Sequence, residues 1–213
     1  MTLGQRFARL VTNVVVRLPW LWPLFRWPLT AMFDRIAPSW AAMRAQDAME
    51  PLVAALDRLH EPPRRVLDIG TGTGMAAFAI ARRFPEADVL GVDVAARMID
   101  EARRLTPADV AGHVRFEVAD AARMPVADAY DVVVLANMIP FFDELARLVT
   151  PGGHAVFTFS RGPETPIYVS SRRLRGELGR RGFDRFEELE AGSGTAVIAH
   201  RRPDGEAVNV RSH

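Results

Sequence analysis

Beyond residue 63 the chain alternates short apolar runs with longer stretches whose apolar residues recur every three to four positions. Continuous or period-two apolar runs mark strands, and the 3.6-residue period marks helices. Strands are therefore expected at 65–69, 88–92, 114–118, 130–135 and 154–159, with helices at 73–84, 95–105 and 141–149 between them. A short helix or loop is expected at 121–128, a turn at Pro151-Gly152-Gly153 and an arginine-rich helix at 166–181. The run 130–135 is apolar throughout, as in a central parallel strand covered on both faces. Two last strands, 183–190 and 194–200, are joined by Gly192-Ser193-Gly194, a connection so short that they pair as an antiparallel hairpin. Strands alternating with helices predict an α/β domain on a mostly parallel sheet.

The first 60 residues follow a different pattern. Phe7, Leu10, Val11, Val14, Val15 and Leu18 lie near helical spacing, after which Pro19, Pro23 and Pro28 forbid one long helix. Helix is expected again over 31–59, with Ser39 as a cap and a restart at Pro51. Trp20, Trp22, Trp27 and Trp40, the only tryptophans, all fall here. Arg6, Arg9, Arg17 and Arg26 are the only charged side chains before Asp34. A membrane span needs roughly 20 uninterrupted apolar residues, and Arg17 and Arg26 interrupt this stretch. No small-residue cleavage site marks a secretory leader. Two compatible readings stay open for residues 1–30. One is a helical lid packed on the domain; the other is an interfacial anchor whose Trp and Arg suit the headgroup level of a membrane. Pro62-Pro63 closes the region. The chain then divides into a lid at 1–60, an α/β domain at 61–202 and a polar tail at 203–213.

Composition narrows the chemistry. A length of 213 residues suits one domain with an appendage and a sizeable core. The absence of cysteine removes disulfides, thiolate metal sites and thiol nucleophiles, and suits a reducing, cytoplasmic setting. A formal net charge of +1 gives no general attraction for nucleic acid. All 27 basic residues are arginine. Without lysine there is no Schiff base, no phosphate-loop lysine and no Tyr-x-x-x-Lys dehydrogenase pair. His113, His154 and His200 lack metal-ligand spacing, so no metal is expected. Arg172, Arg173, Arg175, Arg180 and Arg181 read as a solvated face, or as a partner for anionic lipid beside the N-terminal segment.

The candidate chemistry lies where strands end. Gly70, Gly72 and Gly74 follow the first strand and open the first helix of the α/β region. Glycines there allow φ > 0 and expose bare backbone, so the N–H groups at a helix start can hold an anionic group. Asp68 lies in that first strand, Asp93 ends the second, Asp120 ends the third and Asn137 follows the fourth. All belong at the carboxyl edge of the sheet, where open α/β sheets bind ligands. An acid ending strand two can accept from both ribose hydroxyls, and one ending strand three can reach an exocyclic amine, so a nucleoside is expected. The spacing Gly70-x-Gly72-x-Gly74, with Asp68 two residues ahead, departs from the dinucleotide pattern Gly-x-Gly-x-x-Gly. An acid there disfavours a pyrophosphate and favours a cationic amine. An adenosine carrying an ammonium and a carboxylate fits: S-adenosylmethionine.

At this point the chain resembles the class I S-adenosylmethionine-dependent methyltransferases, on five elements in order. Val-Leu-Asp-Ile-Gly-Thr-Gly-Thr-Gly (66–74) is similar to their first motif, and Gly-Val-Asp-Val-Ala-Ala-Arg-Met-Ile-Asp-Glu-Ala (91–102) to the second. Val-Ala-Asp-Ala-Ala-Arg-Met-Pro (118–125), Tyr-Asp-Val-Val-Val-Leu-Ala-Asn (130–137) and Leu-Ala-Arg-Leu-Val-Thr-Pro-Gly-Gly (145–153) resemble the third to fifth. The resemblance covers 64–160 closely. It implies a Rossmann-like seven-stranded sheet in the order 3-2-1-4-5-7-6, flanked by helices, with strand seven antiparallel. It also implies roles. Gly70, Thr71, Gly72 and Gly74 would back the methionine portion and Asp68 would face its ammonium. Asp93 would take the ribose hydroxyls, with Val94 and Met98 on the adenine. Asp120 would accept from the adenine amine and Ala121 would donate a backbone N–H. Asn137 would sit under the sulfonium. The segment from Phe33 to Trp40 is similar to the Phe-Asp-x-x-Ala-x-x-Tyr stretch that precedes the domain in quinone, sterol and other small-molecule methyltransferases. Trp40 and Tyr168 are the acceptor-side candidates.

Methyl transfer from a sulfonium is a direct displacement at carbon, so the protein chiefly aligns the partners. No catalytic residue is assigned; His154, Asp128 and Asp143 are base candidates by residue type alone. Ala136-Asn137-Met138-Ile139 departs from the Asn-Pro-Pro-Tyr pattern of nucleic-acid and protein amino-methylating enzymes. The expectation is a methyltransferase for a small, apolar acceptor such as a quinone, lipid or secondary metabolite. Alternatives are a catalytically lapsed scaffold or membrane adaptor, and a nucleotide-dependent oxidoreductase, against which the glycine spacing and missing lysine argue.

Overall fold

Seven strands carry the fold among the described residues: β1 (Arg65–Ile69), β2 (Asp88–Asp93), β3 (Val114–Val118), β4 (Tyr130–Ala136), β5 (Val149–Phe159), β6 (Phe183–Ala191) and β7 (Gly194–Arg201). The computed structural model describes residues 3–43, 49–124 and 129–204. The strands form one sheet in the order β3-β2-β1-β4-β5-β7-β6. β1 to β5 run parallel, and β7 enters antiparallel between β5 and β6. The expected order, including the closing hairpin, is the order found.

The central strands are apolar because both faces are covered. On one face Val66, Val89, Val132, Val134 and Val156 meet α3 (Glu50–Leu56), α4 (Met75–Arg83) and α5 (Ala96–Leu105). On the other, Leu67, Ile69, Leu90, Val133, Leu135 and Phe157 meet α6 (Phe142–Leu148) and α7 (Ser171–Gly179). Each such side chain contributes about 1.5–3 kcal/mol on full burial. That makes the strand register costly to shift.

The N-terminal segment joins the second layer. α1 (Leu3–Arg17) buries Val11, Val15 and Val16, a turn of 3-10 helix spans Pro19–Leu21, and α2 (Trp22–Met43) buries Trp22 and Leu29. The break therefore falls at Pro19 alone. Pro23 sits in the first turn of α2, where no N–H is needed, and Pro28 and Pro38 lie inside the helix. An interior proline costs about 3 kcal/mol, which burial of Trp22, Phe25, Leu29, Met32 and Phe33 along one face offsets. The helix expected over 31–59, with its restart, is found as α2, which begins at Trp22, and α3, which ends at Leu56. Ser39 lies inside α2 instead of at a helix start, while the restart at Pro51 is found in α3.

Two further boundaries differ. β5 starts at Val149, so Pro151-Gly152-Gly153 belongs to its irregular first residues instead of a separate turn, with a register break opposite Tyr130 and Val132. The helix expected at 166–181 is shorter: Ser170 caps it by accepting from Arg173 N, and it ends at Gly179. Pro166 disfavours helical φ/ψ in Thr165 before it, which holds the stretch ahead of the cap open.

Candidate active site

The glycine loop leaves β1 and is pinned to β2. Gly70 N and Thr71 N both donate to Val92 O, at 2.8 and 3.0 Å. Gly70 has φ +72°, and a Cβ there would lie 2.7 Å from Met138 Sδ, so only glycine lets Met138 cover the loop. Gly74, at φ +86°, starts α4 without a side-chain cap; a Cβ would meet the rings of Phe78 and Phe116 at 2.8 Å. The first N–H groups of α4 are therefore left for another acceptor. The hydroxyls of Thr71 and Thr73 are buried with no hydrogen-bond partner, and Asp68 is fully buried beside them.

Asp93 ends β2 and closes the loop. Its carboxylate accepts from Gly72 N (3.0 Å) and Ala95 N (2.9 Å), which ties the glycine loop to the start of α5. Burial pushes its pKa up from the ordinary carboxylate value, although backbone donors pull the other way; the nearby Asp34 carboxylate adds to the rise. Met98 is fully buried with Ala95 under Phe33, and Val94 packs at the edge of the main core.

Asp120 lies two residues past β3, and its surroundings differ. It caps the short helix Ala121–Arg123 by accepting from Ala122 N. Trp22 Nε1 donates to Oδ1 and Arg26 donates to Oδ2, each at 3.0 Å. The Trp22 ring stands edge-on to Phe141 at 5.2 Å, which fixes its direction. Farther along α2, Asp34 accepts from Arg97 N (3.1 Å) in the first turn of α5, a favourable place for an anion. Helix α2 thus reaches Asp120 after β3 and the start of α5 after β2. Neither Trp22 nor Arg26 was a sequence candidate: their partner is about a hundred residues away, and no local period marks them.

The remaining candidates scatter. Asn137 stands at the carboxyl end of β4 with φ +55°, and its Oδ1 accepts from Ser160 N (2.9 Å) and Ser160 Oγ (3.3 Å). It joins the ends of β4 and β5. Tyr168 stands edge-on to Phe159 at 5.0 Å and lines a separate cavity between α1 and α7. Trp40 lies on α2, with its side chain outside the described residues. Of the base candidates, His154 sits in the amino-terminal half of β5, paired with Val132 and His200 at the far end from the glycine loop. Burial, His200 and Arg185 push it down to about 4. Asp143 is an exposed partner of Arg181 at 2.7 Å, and Asp128 lies outside the described residues. No group of three or more His, Asp or Glu among the described residues could hold a metal ion.

The arrangement fits S-adenosylmethionine on this structure's own features. The positive-φ glycines put no side chain over the loop, α4 lacks a side-chain cap, two threonine hydroxyls in the loop lack partners, and the Asp93 carboxylate stands at the end of β2. Comparison with known proteins agrees. Residues 66–153 match the family model of a methyltransferase domain. The chain is 36% identical over 129 residues to the demethylmenaquinone methyltransferase of Deinococcus radiodurans, covering 57% of this chain and 53% of that one. It is 32% identical over 137 residues to the malonyl-[acyl-carrier protein] O-methyltransferase of Methylococcus capsulatus, covering 60% and 49%. The chain therefore spans about half the length of the sequence relatives it matches. Among solved structures, a SAM-dependent methyltransferase from Aquifex aeolicus superposes with a TM-score of 0.62 at 19% identity, over 78% of this chain and 98% of that one. Residues 66–153 are a methyltransferase domain of the class I, S-adenosylmethionine-dependent type.

Proposed function

We propose that this chain transfers a methyl group from S-adenosylmethionine to a small, apolar acceptor by direct displacement. One observation carries the reading: the uncapped start of α4 and the Asp93 carboxylate, joined through Gly72, form a preset pair of anion and hydroxyl subsites. The bound cofactor supplies an electrophilic methyl on a sulfonium, so the protein needs no nucleophile of its own. The glycine loop and α4 would hold the amino-acid carboxylate, Asp68 the ammonium, and Asp93 the ribose hydroxyls. Val94 and Met98 would border the adenine, Asp120 and Ala121 its polar edge. Asn137, locked to Ser160, would keep the ends of β4 and β5 at a fixed separation beneath the reacting centre. Met138 covers Gly70, and Phe33 packs on Ala95 and Met98. The relatives act on a quinone precursor and an acyl-carrier-bound acid, which supports a small-molecule acceptor and leaves its identity open. Titration with S-adenosylhomocysteine tests the reading: binding at micromolar concentrations is expected, and no heat at any concentration would refute it.

A second reading, a methyltransferase-like adaptor without turnover, draws on a specific observation. Trp22 and Arg26 occupy the Asp120 oxygens that an adenine amine would use. Cofactor binding with no methyl incorporated into a total lipid extract would favour it. Peripheral membrane contact through residues 1–30 belongs to either reading.

A further inference from the structure

Helix α2 has two faces of different chemistry. Trp22, Arg26, Leu29 and Phe33 turn inward, to Asp120 and the core. Leu24 and Trp27, on the opposite side of α2, are 69% and 77% exposed, and Leu18 and Trp20, in the connection from α1 to α2, are 43% and 70% exposed. Single exposed apolar residues are ordinary, but two tryptophans and two leucines exposed within ten consecutive residues mark an interaction surface.

Arg17, adjoining Leu18, lines a cavity of about 390 Å³ between α1 and α7, together with Arg172, Arg173, Ser170, Asn13 and Tyr168. No carboxylate lines it. Arg173 is committed, donating to Val16 O at 3.1 Å and lying 3.7 Å from Glu177. Arg17 and Arg172 are exposed and make no ion pair among the described residues. Arg6 is also exposed, and no acid precedes Asp34 in the chain.

We propose that this face docks on an anionic phospholipid surface, with Trp20, Leu24 and Trp27 in the headgroup layer and the Arg17–Arg172 cavity on a lipid phosphate. Indoles suit that layer because one edge is apolar and the other donates a hydrogen bond. The arginines supply the complementary charge. A second copy of the chain fits less well, because a two-fold contact would bring two copies of the same arginine-lined cavity into one interface. No helix among the described residues is long and apolar enough to cross a membrane, so the contact is peripheral. The inference rests on the proposed function and deepens it: an apolar acceptor dissolved in the bilayer would reach the lid whose inner face borders Asp93 and Asp120.

The test is flotation of the full chain with vesicles of phosphatidylcholine, alone and mixed with phosphatidylglycerol. Binding to the mixed vesicles is expected, with a blue-shifted tryptophan emission. Trp20→Ser with Trp27→Ser should weaken it by about 100-fold, and Arg17→Gln with Arg172→Gln by about 30-fold. Inorganic phosphate should not displace the protein. No binding to either vesicle overturns the proposal, as does thermal stabilisation by inorganic phosphate alone. A wild-type dimer that Trp27→Ser dissolves without vesicles also overturns it. S-adenosylhomocysteine titration of each variant keeps the outcomes apart: unchanged cofactor binding with lost flotation sinks only the docking face, and absent binding in the wild type sinks only the methyltransferase reading.

Discussion

Asp93 ends β2 and Asp120 lies two residues past β3, the neighbouring strand, and both are proposed partners of the nucleoside. Their partners differ in kind. Asp93 is held by the backbone N–H groups of Gly72 and Ala95, both within a few bonds of the strand ends that position them. Asp120 shares one such backbone donor, Ala122, but its outer contacts are Trp22 and Arg26, side chains of a separate helix. The surroundings of Asp93 are built into the sheet; those of Asp120 are completed by α2. Backbone donors cannot leave without undoing the loop. The Arg26 pair, with the two side chains 40% and 11% exposed, belongs to the class worth about 0–1 kcal/mol and can open.

That contrast can be broken by mutation. The largest effect is expected at Asp93→Ala, which removes the acceptor for two backbone donors and for the ribose. S-adenosylhomocysteine affinity should fall by about 100-fold or more with the circular dichroism spectrum retained. A loss under fivefold would show that β2 does not carry the ribose subsite. Acidification should act at the same place. The ionised form is the acceptor, and burial raises Asp93, so affinity begins to fall at a higher pH than for an exposed carboxylate. Below that point it falls by about tenfold per pH unit. For the ligand-free protein the sign reverses. A raised carboxylate costs stability once ionised; that cost is absent below the ordinary carboxylate range and grows as pH rises through the folded value. Asp93→Asn should flatten both profiles.

At Asp120 the effects should be smaller and coupled. Asp120→Asn is expected to weaken cofactor binding by about five- to tenfold, one hydrogen bond's worth. Arg26→Met, which frees one oxygen, should strengthen it by about threefold, and the two changes should be non-additive in a double-mutant cycle. Additive effects would mean that the lid does not compete at this corner. His154→Phe, at the other end of the sheet, should leave cofactor affinity unchanged. Because the fold pushes His154 down, protonation opposes folding. Stability is lost as pH falls from the ordinary histidine value towards about 4, and the variant should lose less.

Local pattern was enough for the strands, their order once the family resemblance was in hand, and the clustering of Gly70–Gly74, Asp93 and Asp120 at one edge. Strand ends collect there whatever the rest of the chain does. It failed in the lid. Pro23 and Pro28 read as helix breakers, yet they sit within α2, because the inner face from Trp22 to Phe33 buries enough to hold them. It also failed at β5, where Pro151-Gly152-Gly153 reads as a turn but is carried into the strand by pairing of Val149 with Tyr130.

By itself the amino-acid sequence determined which residues could bare their backbone, which acids would end strands, and that neither lysine nor cysteine chemistry was available. Those are properties of short stretches, set by φ/ψ limits and side-chain chemistry. Only the tertiary structure decided that Met138 lies over Gly70, that Trp22 and Arg26 reach Asp120, and that Leu18, Trp20, Leu24 and Trp27 are left outside beside an arginine-lined cavity. These pairings join residues far apart in the chain. They form because α1 and α2 must bury one face against the sheet, and that burial fixes what the opposite face presents.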